Sequence, residues 1–248
     1  MTSSTEVRRD CFYVESGEQH LFAWRHSSQS SRSSVAALIC SPLGVEYMSG
    51  HRSLRHMADH LAEVGIDAVR FDYTFVGDSS GGDFSHATAA SFVDDIRNAA
   101  RETRRITQCR EVVLIGIGLG ATFAAVAAES GEFDHLVLWN PTVDGRRFVR
   151  EQKLLSEVLT EGNNRESTPI DVGGIFLTPG LQEDFRSINL AKVDYSTVRS
   201  VLLINRHDMK PSTKLVAAIE HSRCAFEQVD LAGYKEMMDN PTETVVPV

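Results

Sequence analysis

The sequence predicts an α/β domain built on a mostly parallel central sheet with helices covering both faces. Three observations carry that prediction. Short β-branched and aliphatic runs alternate with segments of helical period, the pattern of strands buried on both sides. Glu111 to Ala128 reads as strand, tight turn and helix: Val112 to Ile115 is apolar, Gly116, Gly118 and Gly120 form the turn, and Ala121 to Ala128 is a small-residue helix able to pack closely on a sheet. Near the N-terminus, Cys11–Val14 and His20–Trp24 flank Ser16-Gly17-Glu18-Gln19 and read as an antiparallel hairpin.

The remaining elements follow in order. After a Ser-rich polar loop, Ser27 to Ser34, Val35 to Cys40 is a buried strand that runs into Ser41-Pro42-Leu43-Gly44-Val45-Glu46-Tyr47. Leu54, Met57, Ala58, Leu61 and Ala62 mark a helix that Gly65 stops. Ile66 to Phe71 is the next strand, leading into a Gly- and Ser-rich turn from Asp72 to Gly82. Phe92, Val93, Ile96 and Ala100 mark a second helix, with Asp94 and Asp95 early and Arg101, Arg104 and Arg105 late, as the helix dipole favours. His135 to Trp139 is a strand closed by Asn140-Pro141. Residues 142–197 break the alternation, with one helical stretch near Phe148 to Leu159, and are expected to form a cap insertion; the alternative is a surface excursion. Strand Val201–Asn205, a helix near Thr213–His221 and strand Ala225–Leu231 complete a single domain over 1–248.

Composition narrows the function classes. The net charge of −9, with no basic stripe, argues against a nucleic-acid partner. No apolar run approaches the length of a membrane span, and Met1 to Asp10 has no apolar stretch of the kind found in a secretory leader. Cys11, Cys40, Cys109 and Cys224 lack metal or disulfide spacing, three of them in or beside expected strands where Cys acts as a small buried hydrophobe. The nine histidines form no metal-binding pair. The expectation is a cytoplasmic protein with no metal and no cofactor.

The strand–turn–helix at 111–128 has the shape of a nucleophile elbow, whose central residue is ordinarily Ser. Here it is Gly118, which carries no attacking atom. Ser41-Pro-Leu-Gly44, Asp72-Tyr…Gly77-Asp-Ser79, Gly116-Ile-Gly-Leu-Gly120 and Asn205-Arg-His-Asp208 occur in the order of the oxyanion loop, the following turn, the elbow and the acid site of α/β-hydrolase-fold proteins, which the chain resembles over nearly its whole length. Pro42-Leu-Gly-Val-Glu-Tyr47…His51-Arg52…Leu54 and Arg70-Phe-Asp-Tyr73 resemble a bacterial branch of hydrolase-like proteins often found beside biosynthetic or exosortase-type loci. The resemblance implies an α/β-hydrolase fold and a degenerate catalytic triad. Gly118 is the vacated nucleophile position, Thr242 after Asn240-Pro241 the vacated His position, and Asp208 the remaining acid. Phe75 stands where the family has Gly, and the sequence ends at Val248, before a final helix common in relatives.

Without Ser and His, covalent hydrolysis lacks both its attacking oxygen and its base. The oxyanion hole is retained in this reading, from the N–H groups of Leu43 and Leu119, with Tyr47 and Phe75 expected beside the pocket. Glu46, His51 and His207 are candidate acid/base groups, with capping and structural hydrogen bonds as the alternative. Asp72 and Asp78 are expected to bond the backbone of their own turn. Gly118 either widens the pocket or is simply a turn glycine. The functional expectation is a non-hydrolytic enzyme or ligand-binding pseudohydrolase for a small or acyl-type ligand in bacterial biosynthesis. The alternatives are a scaffold partner in a biosynthetic complex and a hydrolase with relocated catalytic residues.

Overall fold

The computed structural model describes residues 7–28, 33–82, 84–159, 169–172, 174–239 and 242–247. Its main sheet has eight strands: β1 (Val7–Ser16), β2 (Gln19–Ser28), β3 (Val35–Cys40), β4 (Asp67–Phe71), β5 (Glu111–Ile117), β6 (His135–Trp139), β9 (Ser200–Arg206) and β10 (Ala225–Leu231). Their spatial order is β1-β2-β4-β3-β5-β6-β9-β10. The β1–β2 and β2–β4 pairs are antiparallel and all others parallel, so the expected N-terminal hairpin forms one edge of the sheet. A separate two-stranded ribbon joins β7 (Ile170–Val172) to β8 (Ile175–Leu177).

The helices are α1 (Val45–Glu63), α2 (Ala89–Thr107), α3 (Leu119–Ala128), α4 (Gly145–Leu159), α5 (Pro179–Ser187), α6 (Thr213–His221) and α7 (Tyr234–Met237). Two apolar cores divide them. On one face Leu38, Val112 and Leu114 pack with α2, α3, α5 and α6; on the other Ala37, Ile39 and Ile117 pack with Leu54 and Ala58 of α1 and Tyr234 and Met237 of α7. Alternate residues of β3 therefore feed opposite cores, which explains its uninterrupted apolar run.

Glycine sets how closely α3 approaches the sheet. A Cβ at Gly120 would run into the Cys40 and Ser41 carbonyl oxygens, and one at Gly116 into the Ala121 backbone. The turn after β4 is fixed by carboxylates. Asp72 accepts from the Asp78 N–H at 3.0 Å, as its sequence context predicted, and from Tyr47 Oη at 2.7 Å. Asp95 has a different role from the helix-dipole one expected of it. It is buried, and it holds the turn through the Thr74 N–H at 2.8 Å and the hairpin through Ser16 Oγ at 2.7 Å.

Residues 142–197 contain more structure than their sequence suggested. Besides α4 they supply the β7–β8 ribbon, α5 and two short 3-10 turns. Phe185 of α5 packs between Phe123 and Phe148, which ties this segment to the elbow helix. The polar middle of the segment, like part of the Ser-rich loop, lies outside the described residues. Cys40 is buried as expected of a strand cysteine, Cys109 and Cys224 are partly buried, and Cys11 is exposed. Among the described residues no helix is long and apolar enough to cross a membrane, and no cluster of three or more ligating side chains is placed to hold a metal ion.

Candidate active site

Gly118 caps α3 with φ 56° and ψ −124°, the sharp strand-to-helix conformation that a side chain adopts only under strain. Its N–H donates to the Trp139 carbonyl at 2.9 Å, which ties the turn to the end of β6. The N–H groups at the start of α3, beginning with Leu119, have no carbonyl one turn earlier and carry the positive end of the helix dipole. Leu43 and Leu119 are both buried.

The space beyond Gly118 is occupied. A Cβ at this position would lie 2.7 Å from Glu46 Oε2, 3.0 Å from Tyr234 Oη and 3.4 Å from Pro42 Cβ. Three distant segments thus meet where a nucleophile would project: the loop after β3, the first turn of α1, and α7. Tyr234 Oη donates to both carboxylate oxygens of Glu46 at 3.2 Å. The Tyr234 ring stacks edge-on against Trp139 at 5.8 Å, under the Arg206 guanidinium 5.4 Å from its centroid, with the Asn140 side chain set against its hydroxyl. The Trp139 indole N–H is buried with no hydrogen-bond acceptor among the described residues.

Burial dominates the electrostatics. It raises the Glu46 carboxyl above the ordinary glutamate value, opposed by the Tyr234 hydrogen bond and the Arg206 charge. Tyr234 is raised too, first by burial and then by the Glu46 charge, and stays a neutral donor. Glu46 is only partly buried by its neighbours and can still be reached. A carboxyl poised above its usual range, beside a helix N-terminus, can hold or move a proton at a bound carbonyl compound.

The other residues marked by the sequence scatter around this point. Asp208 is exposed; Arg206 grips its carboxylate through Nε at 2.9 Å and Nη2 at 2.6 Å, and this hydrogen bonding lowers its pKa to about 2. His207 is exposed and uses its backbone N–H on Leu231. Thr242 is exposed. Phe75 does not press on Gly118: it has φ 70°, its ring lies against Gly81 and Phe84, and it lines a separate cleft with Ser16, Gln19 and His86. Tyr47 and His51 lie one and five residues further along α1 than Glu46 and line a small cavity of their own. Ser41, His51 and Asp72 all border it, yet among the described hydrogen bonds none joins His51 to either, so these three do not form an assembled relay. Tyr234, Asn140 and Arg206 carry the site together with Glu46, and sequence reasoning gave none of those three a role.

A cleft of about 630 Å³ opens beside the cluster, at the C-terminal ends of β6 and β9, where open parallel sheets bind their ligands. Asn140 and Arg206 belong to both. The Asp144, Arg147 and Phe148 side of the cleft comes from the 142–197 segment. That segment also reaches the loop after β3, since a Cβ at Gly174 in the β7–β8 turn would stand 3.5 Å from the Gly44 Cα.

Residues 47–187 match the family model of the serine aminopeptidases, S33. No curated protein sequence matches the chain. Among solved structures, Est1E from Butyrivibrio proteoclasticus with ferulic acid bound is similar at TM-score 0.70 and 16% identity, over 90% of this chain and 89% of that one. An alpha-beta serine hydrolase homologue from Coxiella burnetii is similar at TM-score 0.58 and 18% identity, over 90% and 87%. A serine hydrolase without lid from Xanthomonas campestris is similar at TM-score 0.57 and 18% identity, over 91% and 84%. At such identities the likeness establishes the shared fold and no more. Because the family model spans more than half of it, the chain belongs to the serine aminopeptidase S33 family of α/β-hydrolase-fold proteins.

Proposed function

We propose that this chain is a non-hydrolytic member of its family, which acts on a small acyl-type ligand with Glu46 as general acid/base. One observation carries the reading: the Glu46 carboxyl, raised by burial and hydrogen-bonded to Tyr234, stands in the space that a nucleophile at position 118 would fill. The ligand carbonyl would lie at the start of α3, where backbone N–H groups stabilise a developing negative oxygen. Its body would occupy the cleft that begins at Asn140 and Arg206, roofed by part of 142–197. Proton transfer at or beside that carbonyl, as in an isomerase, lyase or cyclase, needs no covalent intermediate. A setting in bacterial biosynthesis is the part of the proposal that rests on sequence resemblance.

Two measurements test it. A fluorophosphonate probe is expected to leave the protein unlabelled, and stoichiometric labelling of any Ser would return it to covalent hydrolysis. Carboxyl ¹³C titration is expected to place Glu46 above the ordinary glutamate value; ionisation at that ordinary value would remove the acid/base role. A non-catalytic scaffold is the second reading, favoured by how completely Glu46, Tyr234 and Pro42 fill the elbow. It predicts that neither the parent nor Glu46→Gln turns over ligand and that Glu46→Gln leaves complex formation unchanged.

A further inference from the structure

We propose that a second ligand site, independent of the elbow, lies between the start of α1 and strands β2 and β4, and that it takes the carboxylate of a small organic acid on Arg70. A cavity of about 50 Å³ lies here, walled by Phe22, Trp24, Ser41, Tyr47, His51 and Arg70. That is room for roughly three waters or one carboxylate group.

Arg70 is only 9% exposed. Its Nε donates to His26 Nε2 at 3.3 Å, and its terminal Nη groups have no acceptor among the described residues. The nearby carboxylates make their described hydrogen bonds to other groups, while the Asp72 charge still attracts Arg70. Asp59 takes His26 Nδ1 at 2.7 Å and both Arg9 Nε and Nη2, at 2.8 and 2.9 Å. Asp72 accepts from Tyr47 Oη and the Asp78 N–H. Ser41, 6% exposed, also has a hydroxyl without a partner among the described residues. The Arg70 guanidinium and the Ser41 hydroxyl therefore border one cavity with hydrogen-bonding capacity that no described side chain uses, an arrangement that a bound acceptor can complete.

The chemistry of the walls selects the acceptor. A planar carboxylate matches the fork bidentately. Asp72 and Asp78 also border the cavity, and their charge disfavours a doubly charged phosphate more than a monoanion. Phe22 and Trp24 supply an apolar surface for a short carbon chain. His51, pushed below its ordinary value by burial and then by the Arg70 charge, contributes a neutral imidazole.

The test uses the unmodified chain with ¹³C-methyl acetate and with propionate, against inorganic phosphate and chloride at equal ionic strength. Saturable binding of both acids is expected, with intermolecular NOEs from the methyl protons to the Trp24 or Phe22 rings. Arg70→Gln is expected to weaken binding at least tenfold. Binding of phosphate with acetate silent, no saturable response to either acid, or unchanged affinity in folded Arg70→Gln would each overturn the proposal. If Arg70→Gln does not fold, the NOEs decide: contacts to rings other than those of Phe22 and Trp24 overturn it as well.

Discussion

Restoring a side chain at the elbow is the sharpest perturbation the site offers. Gly118→Ser and Gly118→Ala each place a Cβ at φ 56°, ψ −124°, a strain of about 1–3 kcal/mol. That Cβ would stand 2.7 Å from Glu46 Oε2 and 3.0 Å from Tyr234 Oη, closer than packing allows, so the carboxyl must swing away. Loss of the Tyr234 bond to a partly buried carboxyl adds about 1 kcal/mol. The total is about 2–4 kcal/mol, and at 248 residues each kcal/mol moves the melting temperature by about 2 °C. Both variants are expected to melt about 4–8 °C below the parent, followed by far-UV circular dichroism. Neither should turn over p-nitrophenyl acetate above background, because no imidazole is placed to take the Ser proton and Arg206 holds Asp208. In a Glu46→Ala background, Gly118→Ala should cost measurably less, since the displaced group is gone. A melting shift under about 1 °C, or additive costs in that cycle, would refute the packing argument; a tenfold gain in ester turnover would refute the chemical one.

Three further outcomes follow from the same geometry. Burial raises the folded pKa of Glu46 above its unfolded value of about 4.3, so the associated stability is complete below pH 4.3 and is lost as pH rises through the folded pKa. Glu46→Gln should therefore melt higher than the parent at pH 8 and lose that advantage by pH 4; an equal difference at both pH values would contradict the linkage. Tyr234→Phe removes the hydrogen bond that lowers the Glu46 pKa, so carboxyl ¹³C titration should move upward, and a downward move would refute the assignment. Gly120→Ala drives a Cβ into main-chain oxygens of β3 and its loop, a cost of about 3 kcal/mol or more, whereas at Gly131 a Cβ would meet nothing and only the left-handed backbone costs about 1–2 kcal/mol. Equal melting temperatures for these two alanine variants would show that α3 is not held by that contact.

What the sequence made legible was whatever depends on local pattern. β3, β6, α6 and β10 begin and end where the sequence pattern puts them: β3 is an almost wholly buried apolar run, β6 buries its alternate residues, and α6 and the largely exposed edge strand β10 are marked off by the polar and turn residues around them. α1 starts at Val45, well before its apolar period begins, since its first turns face the elbow and Met238. Asp208 shows how a local clue is incomplete. Its spacing suits a catalytic acid; the structure adds that Arg206, the last residue of β9, reaches across the turn that follows and takes its carboxylate. Tyr234 was not readable: α7 has four residues, too few for any period, and its partner Glu46 is 188 positions away. Those two residues change the meaning of Gly118. A Cβ there would conflict with both, so the absent side chain and the Glu46–Tyr234 pair are two aspects of one arrangement. A serine alone would have to expel the pair before it could act.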